Sequence, residues 1–514
     1  MPGGSPPAPL LGQPLVVTGH IVTFDPPGAE IADGALYIDR DGIIQAVQPR
    51  TDTPPSGFAG AARAETGGLV YPGLIDLHNH IAYNCLPLWI APDRKVPWTA
   101  RDQWPRDSDY QPAVSAPANA LCHADGKAVL KYVETKAVVG GVTAIQGSAK
   151  VGRVFEGWMV RNIEEETFRT GKKTVNQSVL RFASAEQYAS AKRDLDEDHA
   201  FIYHLAEGTD PRLLVDYDNV RDHDLLAPKF IGIHSTALGE PQFTEWHPRG
   251  GSVVWSPFSN LWLYGATTDV VAARAARMRI CLGADWSPSG SKNLLGELKV
   301  ADLYSRTQLG GAISAQELCA MATCNPADAL GWQGQLGRLR PGLHGDFVAV
   351  RDRGEDAYRT LIDTTEPDIL LVGINGYPMY GTDELMRAAN AVNPEPIAVS
   401  RTLPRTITLR DSRIPDADMT WSEILAALEA ARADPGGAHV AAVSREGGED
   451  ELIGLRPDKP WDDPAVRPAL LADLAAAEIP ELDALTHDAD YFSRIAQAVI
   501  PGGKLDGLQT YYGL

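Results

Sequence analysis

A chain of 514 residues exceeds one ordinary hydrophobic core, so two or three domains are expected. The composition, 44% hydrophobic and 22% charged, is that of a globular protein. A formal net charge of -21 repels phosphate backbones and anionic lipid, which argues against nucleic acid and membrane surfaces as partners.

The opening M-P-G-G-S-P-P-A-P-L-L-G has neither the basic nor the apolar region of a secretion signal. No run reaches the roughly 18 apolar residues of a membrane helix. The cysteines, Cys85, Cys122, Cys281, Cys319 and Cys324, form no C-x-x-C pair. A disulfide framework is therefore not expected, and a reducing cytoplasm is the expected compartment.

Residues 14–24 and 35–47 read as short strands broken by Gly and Asp turns. The same texture returns at 339–351 and 368–380, so one β-domain is expected from the two ends of the chain. Between them, short apolar runs alternate with helical stretches, at 73–78, 142–148, 174–180, 200–205, 229–234, 252–256 and 279–285. Continuous apolar runs of this kind suit buried parallel strands, and repeated βα units over roughly 260 residues suggest a barrel. One strand short of eight, the pattern leaves its gap between 180 and 200, where only a helical stretch fits. Residues 84–125 hold Trp89, Trp98 and Trp104 among many prolines and read as a long loop after the first run; such loops tend to be functional. Residues 400–514 carry one amphipathic helix candidate, 421–432, and no chemical motif. A helical appendage packed on the barrel or on a second subunit is expected there.

Metal-ligand residue types close several runs: His78 with His80, His204, His234 and Asp285. In a barrel of parallel strands all strand C-termini face one rim, where active sites form. Alternate strand residues point to the same side, so both imidazoles of His78-x-His80 can reach one ion. His204 adds a nitrogen and Asp285 an oxygen. Three or four N/O ligands with an open position suit catalytic Zn²⁺, with Fe²⁺ or Mn²⁺ as alternatives. Such an ion would lower the pKa of a bound water to about 7. Glu207, in H-L-A-E, is placed to carry a proton to a leaving nitrogen. Asp285 could also accept the water's proton, and His234 could polarise substrate or stabilise a developing oxyanion.

Taken together, P-G-L-I-D-L-H-N-H (72–80), H-L-A-E (204–207), His234, S-P-F-S-N (256–260), L-G-A-D (282–285) and the run from A-T-C-N-P-A-D-A-L-G to G-D-F (322–347) resemble the amidohydrolase superfamily. The resemblance spans 14–380 and is greatest to the chlorohydrolase, guanine deaminase and cytosine deaminase branch. It implies an α/β fold: a (β/α)₈ TIM-type barrel at 71–335, a composite β-sandwich from 1–70 and 336–395, and a C-terminal helical extension at 396–514. It also implies one divalent metal ion, zinc first, held by His78, His80, His204 and Asp285, with Glu207, His234 and Asp285 catalytic. Binuclear relatives carry a carboxylated lysine on the fourth strand, for which Lys150 and Lys173 are the nearest candidates; a mononuclear site is expected. Where the branch usually has Cys-Pro and a Gly-rich turn, this chain has Ser256-Pro257 and Trp286-Ser287-Pro288. Substrate contacts are accordingly expected from Trp89, Ser256, Asn260 and Trp286.

The expected reaction is attack of metal-activated water on an sp² carbon of a small cyclic or aromatic substrate, with loss of nitrogen, as in an aminoheterocycle deaminase. Amide, urea or carbamate hydrolysis on the same site is the alternative, and a non-enzymatic scaffold a remote one. The expected partners are a small-molecule substrate and a second copy of the chain, as a homo-oligomer (dimer).

Overall fold

The computed structural model describes residues 13–25, 30–147, 159–164, 168, 174–176, 182, 184–399, 404–412, 417–446 and 477–514. Four strands open the chain: β1 (Leu15–Val22), β2 (Glu30–Ile38), β3 (Ile44–Pro49) and β4 (Ala62–Pro72). Eight short strands follow: β5 (Leu74–Asp76), β6 (Val142–Ile145), β7 (Arg161–Asn162), β8 (Thr174–Asn176), β9 (Ala200–Leu205), β10 (Phe230–His234), β11 (Ser252–Trp255) and β12 (Arg279–Leu282). The last group is β13 (Phe347–Val350), β14 (Ile369–Ile374), β15 (Tyr377–Thr382), β16 (Pro394–Ile397) and β17 (Arg405–Thr408).

The first and last groups form one hydrogen-bonded sheet, ordered β16-β17-β15-β14-β13-β4-β1-β2-β3. Its join is β4, which runs parallel to β1 and pairs antiparallel with β13, Leu69 opposite Val350 and Pro72 opposite Phe347. Burial in β4 alternates at Ala62 and Ala64 and becomes continuous from Gly68. There the strand has apolar layers on both faces: Leu69 and Tyr71 pack with the barrel's helices, Val70 with Leu36, Val17 and Leu371 on the other side.

Strands β8 to β12 form a parallel ladder in chain order, and β5, β6 and β7 form a second. The two meet where β5 faces β12. Leu77 N donates to Leu282 O (3.4 Å), Asp285 N to His78 O (2.9 Å) and His80 N to Asp285 O (2.8 Å). Eight parallel strands thus follow the order β7-β6-β5-β12-β11-β10-β9-β8; among the described residues no ladder joins β7 to β8. This is a TIM-barrel-type α/β fold with an added β-domain. Side chains fill the space the strands enclose: Ile75, Ala144, Ile202, Ile231, Val254 and Cys281 share one buried cluster.

The helices between these strands are α1 (Ala116–Val139), α2 (Ala185–Asp196), α3 (Leu214–Asp222), α4 (Glu240–Trp246), α5 (Pro257–Tyr264) and α6 (Val270–Ala275), and α7 (Leu294–Gln308) follows β12. The eighth strand lies earlier than the interval 180–200, which holds α2 instead. It is β7, two residues between buried Val160 and Ile163, too short for an apolar run to reveal. The fourth strand is then β8, Thr-Val-Asn, with no lysine in it. Lys150 and Lys173 lie outside the described residues.

The loop expected at 84–125 is shorter than its prolines suggest, because helical structure begins at Gln111 and α1 at Ala116. Pro112 sits in the first turn of this helical run, where a missing N–H costs nothing. The helix expected at 421–432 is Trp421–Ala433, with Thr420 accepting from Glu423 N at its start, and it packs on α1. All five cysteines are free and buried. Among the described residues no helix is long and apolar enough to cross a membrane.

Close approach of β12 to β5 requires glycine at 283. A Cβ there would lie 2.5 Å from His78 Cβ and 2.7 Å from His78 N. Gly283→Ala is expected to cost about 1–3 kcal/mol through overpacking, read as a lower urea midpoint at unchanged slope.

Candidate active site

The run-ending residues converge. Asp285 Oδ1 is 3.2 Å from His78 Nε2 and 3.5 Å from His80 Nε2, and its Oδ2 is 3.9 Å from His234 Nε2. The His204 ring centre is 4.8 Å from that of His78 and 5.5 Å from those of His80 and His234. Ligand atoms of His78, His204 and His234, and of His78, His80 and Asp285, lie within 4.8 Å of one another in each set.

These groups fit a divalent cation. His204 Nδ1 is buried with no hydrogen-bond partner, a costly state for a ring nitrogen, and His78 Nε2, also buried, has only the Asp285 carboxylate beside it at 3.2 Å. Gln146 Oε1 accepts from Asn79 N (2.9 Å) and lies 3.3 Å from His78 Nδ1. An acceptor beside Nδ1 places the His78 proton there and leaves the Nε2 lone pair toward the cluster. Burial, reinforced by His78, pushes His80 down to about 3 and His204 well below its usual value, so both imidazoles are neutral. Burial opposes charge on Asp285, but His78, His234 and His80 more than offset it and hold the carboxyl below its ordinary range. Burial likewise opposes charge on His78, and Asp285 reverses the direction; that pair favours its ionised form as long as no cation neutralises Asp285. Neutral imidazoles and an ionised carboxylate are the states a metal requires.

The backbone is strained at the same place. Ala206 (φ 48), His234 (φ 61), Ser235 (φ 51) and Asp285 (φ 66) are four of the eleven described non-glycine residues with positive φ. Such conformations persist where surrounding structure over-determines them, often at functional sites.

His234 is held in one tautomer by a relay of uncharged groups. Trp255 Nε1, which can only donate, bonds Thr267 Oγ1 (2.7 Å), and Thr267 Oγ1 donates to Asn260 Oδ1 (3.1 Å). Asn260 Nδ2 then faces His234 Nδ1 at 3.0 Å. A donor at Nδ1 assigns the His234 proton to Nε2, which points among Asp285 and Glu207. Burial lowers the His234 pKa, so the ring is neutral.

Glu207 is buried, with its Oε1 3.8 Å from His234 Nε2. Tyr264 OH donates to Oε1 (2.6 Å), Trp104 Nε1 donates to Tyr264 OH (3.1 Å), and Arg101 Nε is 3.6 Å from Oε2. Arg101 and Trp104 arrive on the loop after β5. Thr209 N and Asp210 N fix that loop by donating to Thr99 O (2.8 and 2.9 Å). Gly208 (φ 133) makes the contact, since a Cβ there would lie 2.3 Å from Thr99 O.

Residues 218–376 match the amidohydrolase family, and the matched stretch contains His234, Asn260 and Asp285. The chain is 27% identical over 386 residues to a 5-methylthioadenosine/S-adenosylhomocysteine deaminase of Halobacterium salinarum, covering 66% of this chain and 84% of that one. Identity to the guanine deaminase of Escherichia coli is 24% over 382 residues, 64% of this chain and 84% of the relative. An atrazine chlorohydrolase from Arthrobacter aurescens, solved with zinc, shares the fold with a TM-score of 0.56 at 17% identity, over 71% of this chain and 95% of that structure.

The residues expected to touch substrate fall in different places. Trp286 walls the cluster, its ring 5.9 Å from His80 and 5.5 Å from Trp104. Trp89 is further back, stacked on Trp98 at 5.5 Å and reaching the cluster only past Tyr110 and Trp286. Ser256, buried at the start of α5, has a hydroxyl with no hydrogen-bond partner. Asn260 uses both ends of its amide on Thr267 and His234 and so acts on the site through His234. Arg101, Tyr264 and Gln146 were not singled out in the sequence, because nothing local marks them; only the tryptophan-rich loop hinted at the first.

Asn260→Leu keeps the branched side-chain shape and removes the Nδ1 partner. It is expected to lower kcat roughly 10–100-fold, the usual cost of an outer-shell partner, with zinc content unchanged by elemental analysis.

Proposed function

We propose that this protein is an amidohydrolase that hydrolytically deaminates a small amino-substituted heterocycle, using one divalent ion, zinc, held by His78, His80, His204 and Asp285. The observation that carries the reading is the convergence of buried ring nitrogens of His78 and His204, the latter without a hydrogen-bond partner, on ionised Asp285, beside Glu207 and His234. The deaminase names of the relatives support the reaction class.

When bound, such an ion supplies an activated water at neutral pH. Asp285, kept ionised by its imidazole neighbours, accepts the proton that the attacking water loses. His234 offers Nε2–H to the ring atom on which charge develops. Glu207, oriented by Tyr264 and Arg101, passes a proton to the departing amine. Trp286 and Trp104 present flat apolar faces against which a heterocycle can pack.

The test is purified, zinc-loaded protein incubated with aminopurines, aminopyrimidines, their nucleosides and a set of aryl ureas and amides. Ammonia release from an aminoheterocycle, at about one zinc per chain, is the expected result. Cleavage of ureas or amides with every aminoheterocycle untouched would transfer the site to the amide-hydrolase reading.

Glu207→Gln should leave zinc content unchanged and slow turnover by roughly 10²–10⁴-fold, the range for a general acid–base group. Single-turnover rates at saturating substrate are the measurement, and an unaltered rate would take Glu207 out of the mechanism.

A further inference from the structure

Behind the loop that follows Asp285, three buried charges meet. Lys136, in the last turn of α1, and Lys292, at the far end of the loop, both donate to the carboxylate of Asp483. Exposure of the three is 1%, 3% and 5%. Tyr132 OH donates to the Asp483 carbonyl, and Asp483 N to Cys85 O (2.8 Å). Asp483 belongs to residues 477–514, the segment in which the sequence shows no chemical motif.

From this point a continuous polar path leads to the cluster. Lys136 Nζ also donates to Asn84 O (2.9 Å) and Ser287 Oγ (3.2 Å). Asn84 Oδ1 accepts from Ser287 N (2.8 Å), and Asn84 Nδ2 donates to Asn79 Oδ1 (2.6 Å). Asn79 Nδ2 donates to Asp76 Oδ2 (3.0 Å), and Asp76 Oδ1 accepts from Ala284 N (3.0 Å). The loop from Trp286 to Asn293 is therefore held at Ser287 and at Lys292 by groups that converge on one carboxylate.

Two ammonium groups around one carboxylate leave a net positive charge in the interior. Apolar side chains of similar volume would stabilise the fold as well or better, so stability alone gives no reason for the trio. Geometry does. Asp285 begins this loop with a left-handed backbone (φ 66), a conformation that needs over-determined surroundings.

We infer that Asp483 is a positioning residue for the metal centre: through Lys136 and Lys292 the C-terminal segment sets the 286–293 loop, and with it the Asp285 carboxylate. This rests on the reading of His78, His80, His204 and Asp285 as a zinc site.

The experiment compares zinc affinity, by competition with a chromophoric chelator, in the full chain and in Asp483→Asn, Lys292→Met and Leu36→Ala. Leu36→Ala lowers stability from the buried far face of the β-domain and serves as the control. Asp483→Asn is expected to keep its circular dichroism spectrum and lose roughly 10–100-fold in zinc affinity, while Leu36→Ala lowers Tm and keeps wild-type affinity. Wild-type affinity in folded Asp483→Asn overturns the inference, as does an equal loss in Leu36→Ala. Should Asp483→Asn fail to fold, Lys292→Met decides, since it leaves a neutral Lys136–Asp483 pair: about a tenfold loss supports the inference, and no loss overturns it. A wild-type chain that holds no zinc overturns the metal reading itself, before any variant is compared.

Discussion

The backbone bonds between β5 and β12 do two things at once. Asp285 N to His78 O, and His80 N to Asp285 O, join the first barrel strand to the last. They also put the two ends of the His/Asp cluster side by side. Residues more than two hundred positions apart in sequence thereby become hydrogen-bonded neighbours, and their side chains have little freedom left to miss one another. Gly283 permits this seam, because any Cβ would collide with His78. Fold closure and site assembly are therefore one event, and strain at Asp285 is tolerated because the seam holds both sides of it.

Around that seam, uncharged groups orient His78 and His234. Gln146 sets His78, and Asn260, itself set by Thr267 and Trp255, sets His234. Neutral amides fix a tautomer without adding charge to a buried place. The two carboxylates nearest the imidazoles, Asp285 and Glu207, would then offset one divalent ion, and Arg101 beside Glu207 would leave the occupied site with about one net positive charge. Carboxylates in place of the two amides would leave it anionic and make ionised groups costlier to bury.

How much of this could be read from sequence depends on how local the signal is. His78, His80, His204, His234 and Asp285 were legible because each ends an apolar run, and strand ends share a rim. β7 was not, because two residues, one of them Arg161 paired with Asp346, carry no periodicity. Arg101 and Tyr264 owe their place to the loop's contact with the turn after β9, which no pattern in either segment announces. Asn260 stands out by its position in a motif, but its contact with His234 exists only in the folded chain. Asp483 lies 347 positions from Lys136 and 191 from Lys292, so its meaning exists only once the chain has closed.

The sheet built from both ends of the chain has a consequence for biosynthesis. The free edge of β4 pairs with β13, Leu69 with Val350 and Pro72 with Phe347. At roughly 5–20 residues per second, the ribosome needs tens of seconds to supply that partner after β4 has emerged. During this interval Leu69, Val70 and Tyr71 form an unpaired apolar edge, the kind that recruits other strands. The nascent chain must therefore be kept apart from its neighbours for the time it takes to make nearly the whole barrel.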